Sequence, residues 1–429
     1  MCSSMTGYMR TVKSYTTVGI SSGICYNTDM KRQILISFFI ILFLAVGTTI
    51  AVLYGKGYRI DFTGTKGILK GTGLLVTTSS PDGAQVFING HLTTATNNTI
   101  NLPPGSYVVK IFKDGYFPWQ KTIAVQEEVV SKAEATLFPT TPKLESITDT
   151  GALHPVIDPS FTKIAYVVAS QSARANGIYV LTLGAPSLLT LQNNAQQIAD
   201  DTVVNFDNAT LSWSPDGKQI LASVPPANGT GKPTLYMLDA TQMNSNPQDV
   251  TETIAAVTAS WDKLTADKQA AELNTLKPSL KAFALSHMSS IVWSPDQTKF
   301  FYTASNSAIL QQIITPPIIG ADSTPQDRNL VQGNMYVYDT KEDKNFLLAR
   351  SDQVASEKIM WFPDSAHLIV VHDKRVDIRE YDGANNTTVY AGPFTDSYVF
   401  PWTNGDDIVV LTDLGNTNVL PNLYTISLK

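Results

Sequence analysis

The chain has 429 residues, of which 43% are hydrophobic and 16% charged, and its net charge is −6. That length holds two or three domains, and the acidic balance supplies no basic stripe to gather phosphates, which disfavours nucleic acid as a partner. Cys2 and Cys25 are the only cysteines. The body of the protein therefore lacks disulfides, thiolate metal sites and cysteine nucleophiles.

Residues 1–33 are rich in Ser and Thr and lack periodicity, so they are expected to be a disordered cytoplasmic tail. Met30-Lys31-Arg32 reads as an alternative start that would open a signal-anchor. Gly19-Ile20-Ser21-Ser22-Gly23 fits the pattern of a hydrolase nucleophile elbow, but no strand precedes it and no helix follows, so it is taken as chance. Residues 34–54 carry no charge. At about 1.5 Å per residue a helix of that length crosses a bilayer core of roughly 30 Å. It is expected to be an uncleaved anchor in the lipid bilayer, because a cleaved signal core is only about 7–15 residues long and needs a better exit site than Ala45 and Gly47 offer. Lys31 and Arg32 flank its start, while Lys56, Arg59, Lys66 and Lys70 follow its end. The adjacent pair at the short-tail side favours a cytoplasmic N-terminus and extracytoplasmic C-terminal domains at the cell membrane.

A juxtamembrane linker at 55–72 leads into a segment whose hydrophobic period is two. Six strands are expected, at 73–79, 84–88, 99–102, 107–113, 120–125 and 131–137, as a small β-sandwich-like domain spanning 73–138. Asn89-Gly90 is the pair that a two-residue hairpin demands, and Pro81-Asp82-Gly83, Pro103-Pro104-Gly105 and Asp114-Gly115 mark further turns. On Pro81, Asp82, Gly83, Ala84, Asn89, Gly90, Pro104, Gly105, Gly115 and Tyr116 this segment resembles the PEGA domain family. The resemblance implies a surface-associated β-module acting as a spacer or adhesive unit, without catalytic residues. His91 is expected to be a solvated turn residue.

After a stiff linker at 139–143 the chain repeats itself. Trp213-Ser214-Pro215-Asp216, Trp293-Ser294-Pro295-Asp296 and Trp361-Phe362-Pro363-Asp364 each precede an apolar strand, and degenerate copies begin at Ile157-Asp158-Pro159 and Trp402-Thr403-Asn404. Ser, Pro and Gly at the first, second and fourth places suit a type I turn, and Asp supports such a turn by bonding its own backbone. The repeat resembles the TolB or WD40-like propeller family. The fold expected from these features is mainly β: an N-terminal transmembrane helix, the PEGA-like sandwich, and a β-propeller over 144–429. About five blades are expected, with six or seven allowed by the insertions, and residues 143–148 would supply the outer strand of the last blade. One insertion, at about 251–285, carries two amphipathic helices: Ile254, Val257, Trp261 and Leu264 repeat at helical spacing, as do Leu273, Leu276, Leu280 and Phe283, with Pro278 inside the second. It would either close over a propeller face as a partner-docking lid or pack its apolar side on the propeller.

No catalytic constellation emerges. His154, His287, His367 and His372 have no metal-ligand spacing and are expected at turns or on the surface, Asp216, Asp296 and Asp364 are expected to serve their turns, and with Lys429 read as the end of the last strand no peptidase domain is expected. No cofactor or metal is expected. The function expected is a membrane-anchored cell-surface binding or scaffold protein, its stalk presenting the propeller to a protein, peptide or glycan. The alternative is an envelope enzyme, a polysaccharide hydrolase or lyase. Converging acids or histidines at the channel mouth would favour the enzyme, and an apolar, amide-lined mouth would favour binding. A signalling receptor would need a partner, since the tail is short.

Overall fold

The computed structural model describes residues 28–55, 59–61, 68–184, 195–354, 356–395 and 398–429. The expectations for residues 1–27 lie outside these. Two compact units divide the chain, Met1–Arg59 and Ile60–Lys429. The first contains helix α1, Thr28–Gly55, whose stretch Arg32–Gly55 is long and apolar enough to cross a membrane. None of that stretch is buried by protein, which suits a membrane anchor or a signal sequence rather than a core helix.

From Gly73 the second unit carries two facing sheets. Asn98–Leu102, Gly73–Ser80 and Val130–Thr136 form one; His91–Ala95, Gln85–Ile88, Gly105–Phe112 and Trp119–Val125 form the other. Between them lie Leu75, Val86, Val109, Ile111, Trp119, Ile123 and Ala133. Asn89 and Gly90 both adopt positive φ, at 50° and 83°, as the hairpin requires. The strand His91–Ala95 exceeds the six expected. It is an exposed edge without apolar alternation, so only the preceding turn betrays it. His91 itself opens that strand and is exposed.

Residues 144–429 build five four-stranded antiparallel sheets among the described residues. In chain order their first strands are Leu153–Ile157, Thr210–Trp213, Met288–Trp293, Lys358–Trp361 and Val399–Pro401. The fifth sheet takes its outer strand, Leu144–Ser146, from the start of the region, where it pairs with Asn422–Ser427 near the end. The two ends of the array are thereby joined by backbone hydrogen bonds.

The second strands of the first, fourth and fifth sheets read as continuous apolar runs because both of their faces are covered. In Lys163–Val168, Ala165 and Val167 pack toward the second sheet, while Ile164, Tyr166 and Val168 pack toward the fifth. In Asp407–Thr412, Ile408 and Val410 join the fourth sheet and Val409 and Leu411 the first. Phe301 of the third sheet meets Trp361 and Leu368 of the fourth. Packing thus runs from the third sheet through the fourth, fifth and first to the second, and this array of stacked sheets, with the last clasped by the first residues, makes a β-propeller.

The helical insertion follows the second sheet. Helix α2, Ile254–Asn274, runs longer than the periodicity suggests, and helix α3, Pro278–His287, starts with Pro278 at its first turn. Proline there costs no hydrogen bond, so it begins a helix rather than kinking one. Leu276, Leu280 and Ala284 pack on Phe300, Tyr302, Tyr336 and Tyr338, the face of the third sheet turned away from the fourth. Helix α2 buries no residue at all. Of the two amphipathic helices expected, only the second has a buried apolar face.

Candidate functional site

The five repeat turns share one backbone geometry. The N–H groups of Phe161, Gly217, Gln297, Ser365 and Gly405 donate to the carbonyls of Asp158, Ser214, Ser294, Phe362 and Trp402, three residues back, at 2.8–3.1 Å. All five donors have positive φ, from 57° to 72°. A second bond closes each hairpin, as from Ser214 N to Gln219 O and from Trp402 N to Asp407 O. This alignment puts Pro401 at the place of the repeat tryptophan and Trp402 at the place of the serine. Trp402 thus stands one residue later than Trp213, Trp293 and Trp361 do.

Side chains complete the turns. Ser214 Oγ donates to Asp216 at 2.6 Å and Ser294 Oγ to Asp296 at 2.7 Å. Asp216 and Asp296 also accept the N–H groups of Lys218 and Thr298, and Asp364 accepts that of Ala366. The Ser214 bond holds Asp216 below the ordinary carboxylate range, and Asp296 is held low against burial by Ser294 and Thr298. These aspartates serve backbone geometry. Trp213 Nε1 donates to Val156 O of the first sheet and Trp361 Nε1 to Val292 O of the third, each at 3.0 Å, so both indoles tie neighbouring sheets together.

The same turns from all five sheets line one open cavity of about 880 Å³. Pro159, Pro215, Pro295, Pro363 and Thr403 occupy equivalent turn positions around it, and only a radial array brings equivalent positions to one opening. Trp213, Trp293, Phe161 and Ile291 supply apolar surface. Helix α2 supplies Thr265, Lys268, Gln269 and Glu272, spaced as one helical stripe. Among the described residues Lys268 and Glu272 are the only charged ones in the lining, 4.0 Å apart. The insertion residues had no motif to betray them, because a polar stripe on a mostly exposed helix looks like an ordinary solvated face.

A second constellation lies where the small β-domain meets the propeller. Lys121 Nζ is 3.0 Å from Asp322, 3.0 Å from Glu380 and 2.5 Å from Asp382. Burial alone would lower the pKa of this ammonium, but Glu380, Asp382 and Asp322 outweigh it and hold the pKa above its usual value. Asp382, wholly enclosed, is pushed up by burial and by Asp322 and Glu380 despite the lysine. Trp119 Nε1 donates to Glu380, Gln120 N to Asn385 Oδ1 at 2.9 Å, and Ala124 N to Ser323 Oγ at 2.9 Å. Phe138 meets Phe362 and His367 edge-on.

His367, expected on the surface, is buried, with Nδ1 2.6 Å from Asp364. The domain contact covers it. Burial would lower its pKa, but the bond and charge of Asp364, with Glu380 and Asp382, raise it. His154 and His287 lie at the starts and ends of strands or helices, and His372 bonds Asp377 at 3.1 Å. Among the described residues no group of His, Cys, Asp and Glu is placed to hold a metal ion.

The PEGA motif residues serve turns and core in the same way. Gly83 and Gly115 adopt positive φ, Ala84 is wholly buried, and Tyr116 packs against the domain core. Lys113 Nζ donates to Asp82 O at 2.6 Å, and Tyr107 OH donates to Pro103 O at 2.9 Å, which ties down the loop through Pro104 and Gly105.

Residues 72–141 match the PEGA domain family. Among solved structures the chain is similar to TolB from Agrobacterium tumefaciens, at 15% identity, covering 65% of this chain and 73% of that one, with a TM-score of 0.20. It is also similar to TolB from Acinetobacter baumannii, at 17% identity over 75% of this chain and 60% of that one, with a TM-score of 0.22. An acylaminoacyl peptidase from Pyrococcus horikoshii is similar at 13% identity, over 65% of this chain and 39% of that one, with a TM-score of 0.18. A search of curated protein sequences returns no match. The described chain thus carries one apolar helix, a domain that matches the PEGA family and a β-propeller of four-stranded sheets.

Proposed function

We propose that this is a single-pass membrane protein with a cytoplasmic N-terminus, in which α1 is the anchor, the PEGA domain at about 73–138 is the stalk, and the five-bladed propeller at 144–429 is an extracytoplasmic recognition platform. The observation that carries the reading is the shared mouth, where five turns and one inserted helix converge on an open, largely uncharged surface of tryptophan, proline and amide side chains. Such a lining binds. Chemistry of the acid–base kind would need converging titratable groups, and at this mouth Glu272 faces Lys268 alone.

The junction supports the stalk role. A lysine held by three carboxylates, with three further hydrogen bonds across the contact, keeps the propeller at a set attitude on its stalk. The partner belongs to the protein, peptide or glycan class. The test is to compare envelope material retained by the full-length protein and by Trp213→Ala/Trp293→Ala, both in lipid discs. Retention that the double variant loses supports the reading, and equal retention by both, with folding intact, contradicts it.

A further inference from the structure

The chemistry of the mouth narrows its ligand. Resting on the reading of that mouth as a binding site, we propose that it takes a neutral oligosaccharide, lying between the α2 stripe and the tryptophan floor. Three features lead there. The first is charge: two opposed residues in the lining are 4.0 Å apart and the rest are uncharged, so nothing balances a phosphate or a strongly ionic ligand.

The second is backbone supply. An extended peptide is held chiefly by main-chain hydrogen bonds from its host. At this mouth the turn amides are committed internally: Gly217 N to Ser214 O, Gln297 N to Ser294 O, Ser365 N to Phe362 O. A ligand must therefore be met by side chains.

The third is the division of those side chains. Trp213 and Trp293 are half-buried rings, the first fixed through Nε1 to Val156 O and the second packed 4.9 Å from Phe300. Fixed indoles offer flat apolar faces at little entropic cost. In the same lining, Thr265, Lys268, Gln269 and Glu272 offer hydroxyl, ammonium, amide and carboxylate groups along one stripe. A sugar ring has that same division, with C–H groups on its faces and hydroxyls that both donate and accept around its rim. The cavity, at about 880 Å³, falls within the roughly 300–1,000 Å³ of ligand sites and holds several rings. Near its end Leu273 of helix α2 packs on the core of the third sheet, whereas Thr265, Lys268 and Gln269 of the stripe are exposed at the mouth.

The test uses the full-length chain in lipid discs, free of sugar-headed detergent, titrated with cellotetraose and chitotetraose while calorimetric heat and tryptophan fluorescence are followed. The expected result is saturable binding of at least one tetrasaccharide with a change in tryptophan emission. It should weaken at least tenfold in Gln269→Ala, which alters an exposed helical position and leaves the fold intact, and in Trp293→Phe. If neither sugar binds at millimolar concentration but a neutral hexapeptide does, in a manner that Gln269→Ala weakens, the oligosaccharide proposal is overturned and the binding reading stands. If no envelope component, sugar or peptide is bound, both fall.

Discussion

The junction and the mouth draw on one turn of the fourth sheet, residues 361–367, yet they use opposite chemistry. Pro363 lines the mouth, while Phe362 and His367 lie under Phe138 of the stalk side. At the junction, charge is concentrated and enclosed, with four ionisable groups of two signs in mutual contact. At the mouth, charge is nearly absent and the surface stays open. Enclosed opposite charges resist separation because parting them strands the remainder, whereas a neutral rim of rings and amides can exchange ligands without that penalty. The same turn therefore serves a fixed contact on one side and, on the proposed reading, a ligand contact on the other.

The sharpest way to break this contrast is Lys121→Met. It leaves Asp322, Glu380 and Asp382 enclosed without their cation, and a loss of about 3–5 kcal/mol is expected, seen as a lower unfolding midpoint in urea and faster proteolysis at the 139–143 linker. An unchanged midpoint would mean the junction is not held by charge. Next in size is Trp213→Phe, which leaves Val156 O without its partner and should cost about 1–3 kcal/mol in the same assay. A double variant with Lys121→Met should be close to additive, because these sites share no partner.

A pH series sharpens the junction further. Because the folded-state pKa of His367 is raised, its contribution is fully present below the unfolded value of about 6.5 and is lost as pH rises through the folded value. Raised Asp382 has the same sign, since its ionised form is the disfavoured one. Stability measured by urea unfolding should therefore decline from pH 6 to pH 9, and His367→Gln should flatten that decline. A wild-type profile that rises over this interval would contradict the assignment.

Smaller still are the turn positions. Gln297 holds φ at 57°, where a side chain is strained, so Gln297→Gly should stabilise by up to about 1 kcal/mol; Gly217→Ala should destabilise by a similar amount. At the bottom of the scale, Gln269→Ala should move stability by no more than about 0.5 kcal/mol while weakening ligand binding at least tenfold. That separation of binding from stability is the mark of the mouth, and its reverse marks the junction.

The sequence declares what its backbone must do. The repeat turns were legible because a tight turn with positive φ at its fourth residue selects Ser, Pro, Asp and Gly, and the strand pairing at Leu144–Ser146 followed from the strand left over at the start of the array. The offset of Trp402 was hidden, since a tryptophan beside a turn fits either alignment. The break between α2 and α3 was misjudged because Leu273 continues the first helix and Pro278 opens the second. Lys121 gave no signal: on an alternating strand it reads as a solvated residue, and its three partners lie some two hundred residues or more further along the chain. Contacts of that kind depend on where the stalk settles on the ring, which local pattern does not encode.

The most direct test of the membrane-tethered, outward-facing mouth is labelling of a single thiol. With Cys2 and Cys25 changed to Ser and Gln269→Cys introduced, a membrane-impermeant maleimide is applied to intact cells. Labelling without lysis, slowed by a bound neutral oligosaccharide, is the outcome expected here. A thiol that reacts only after the membrane is broken would contradict the account.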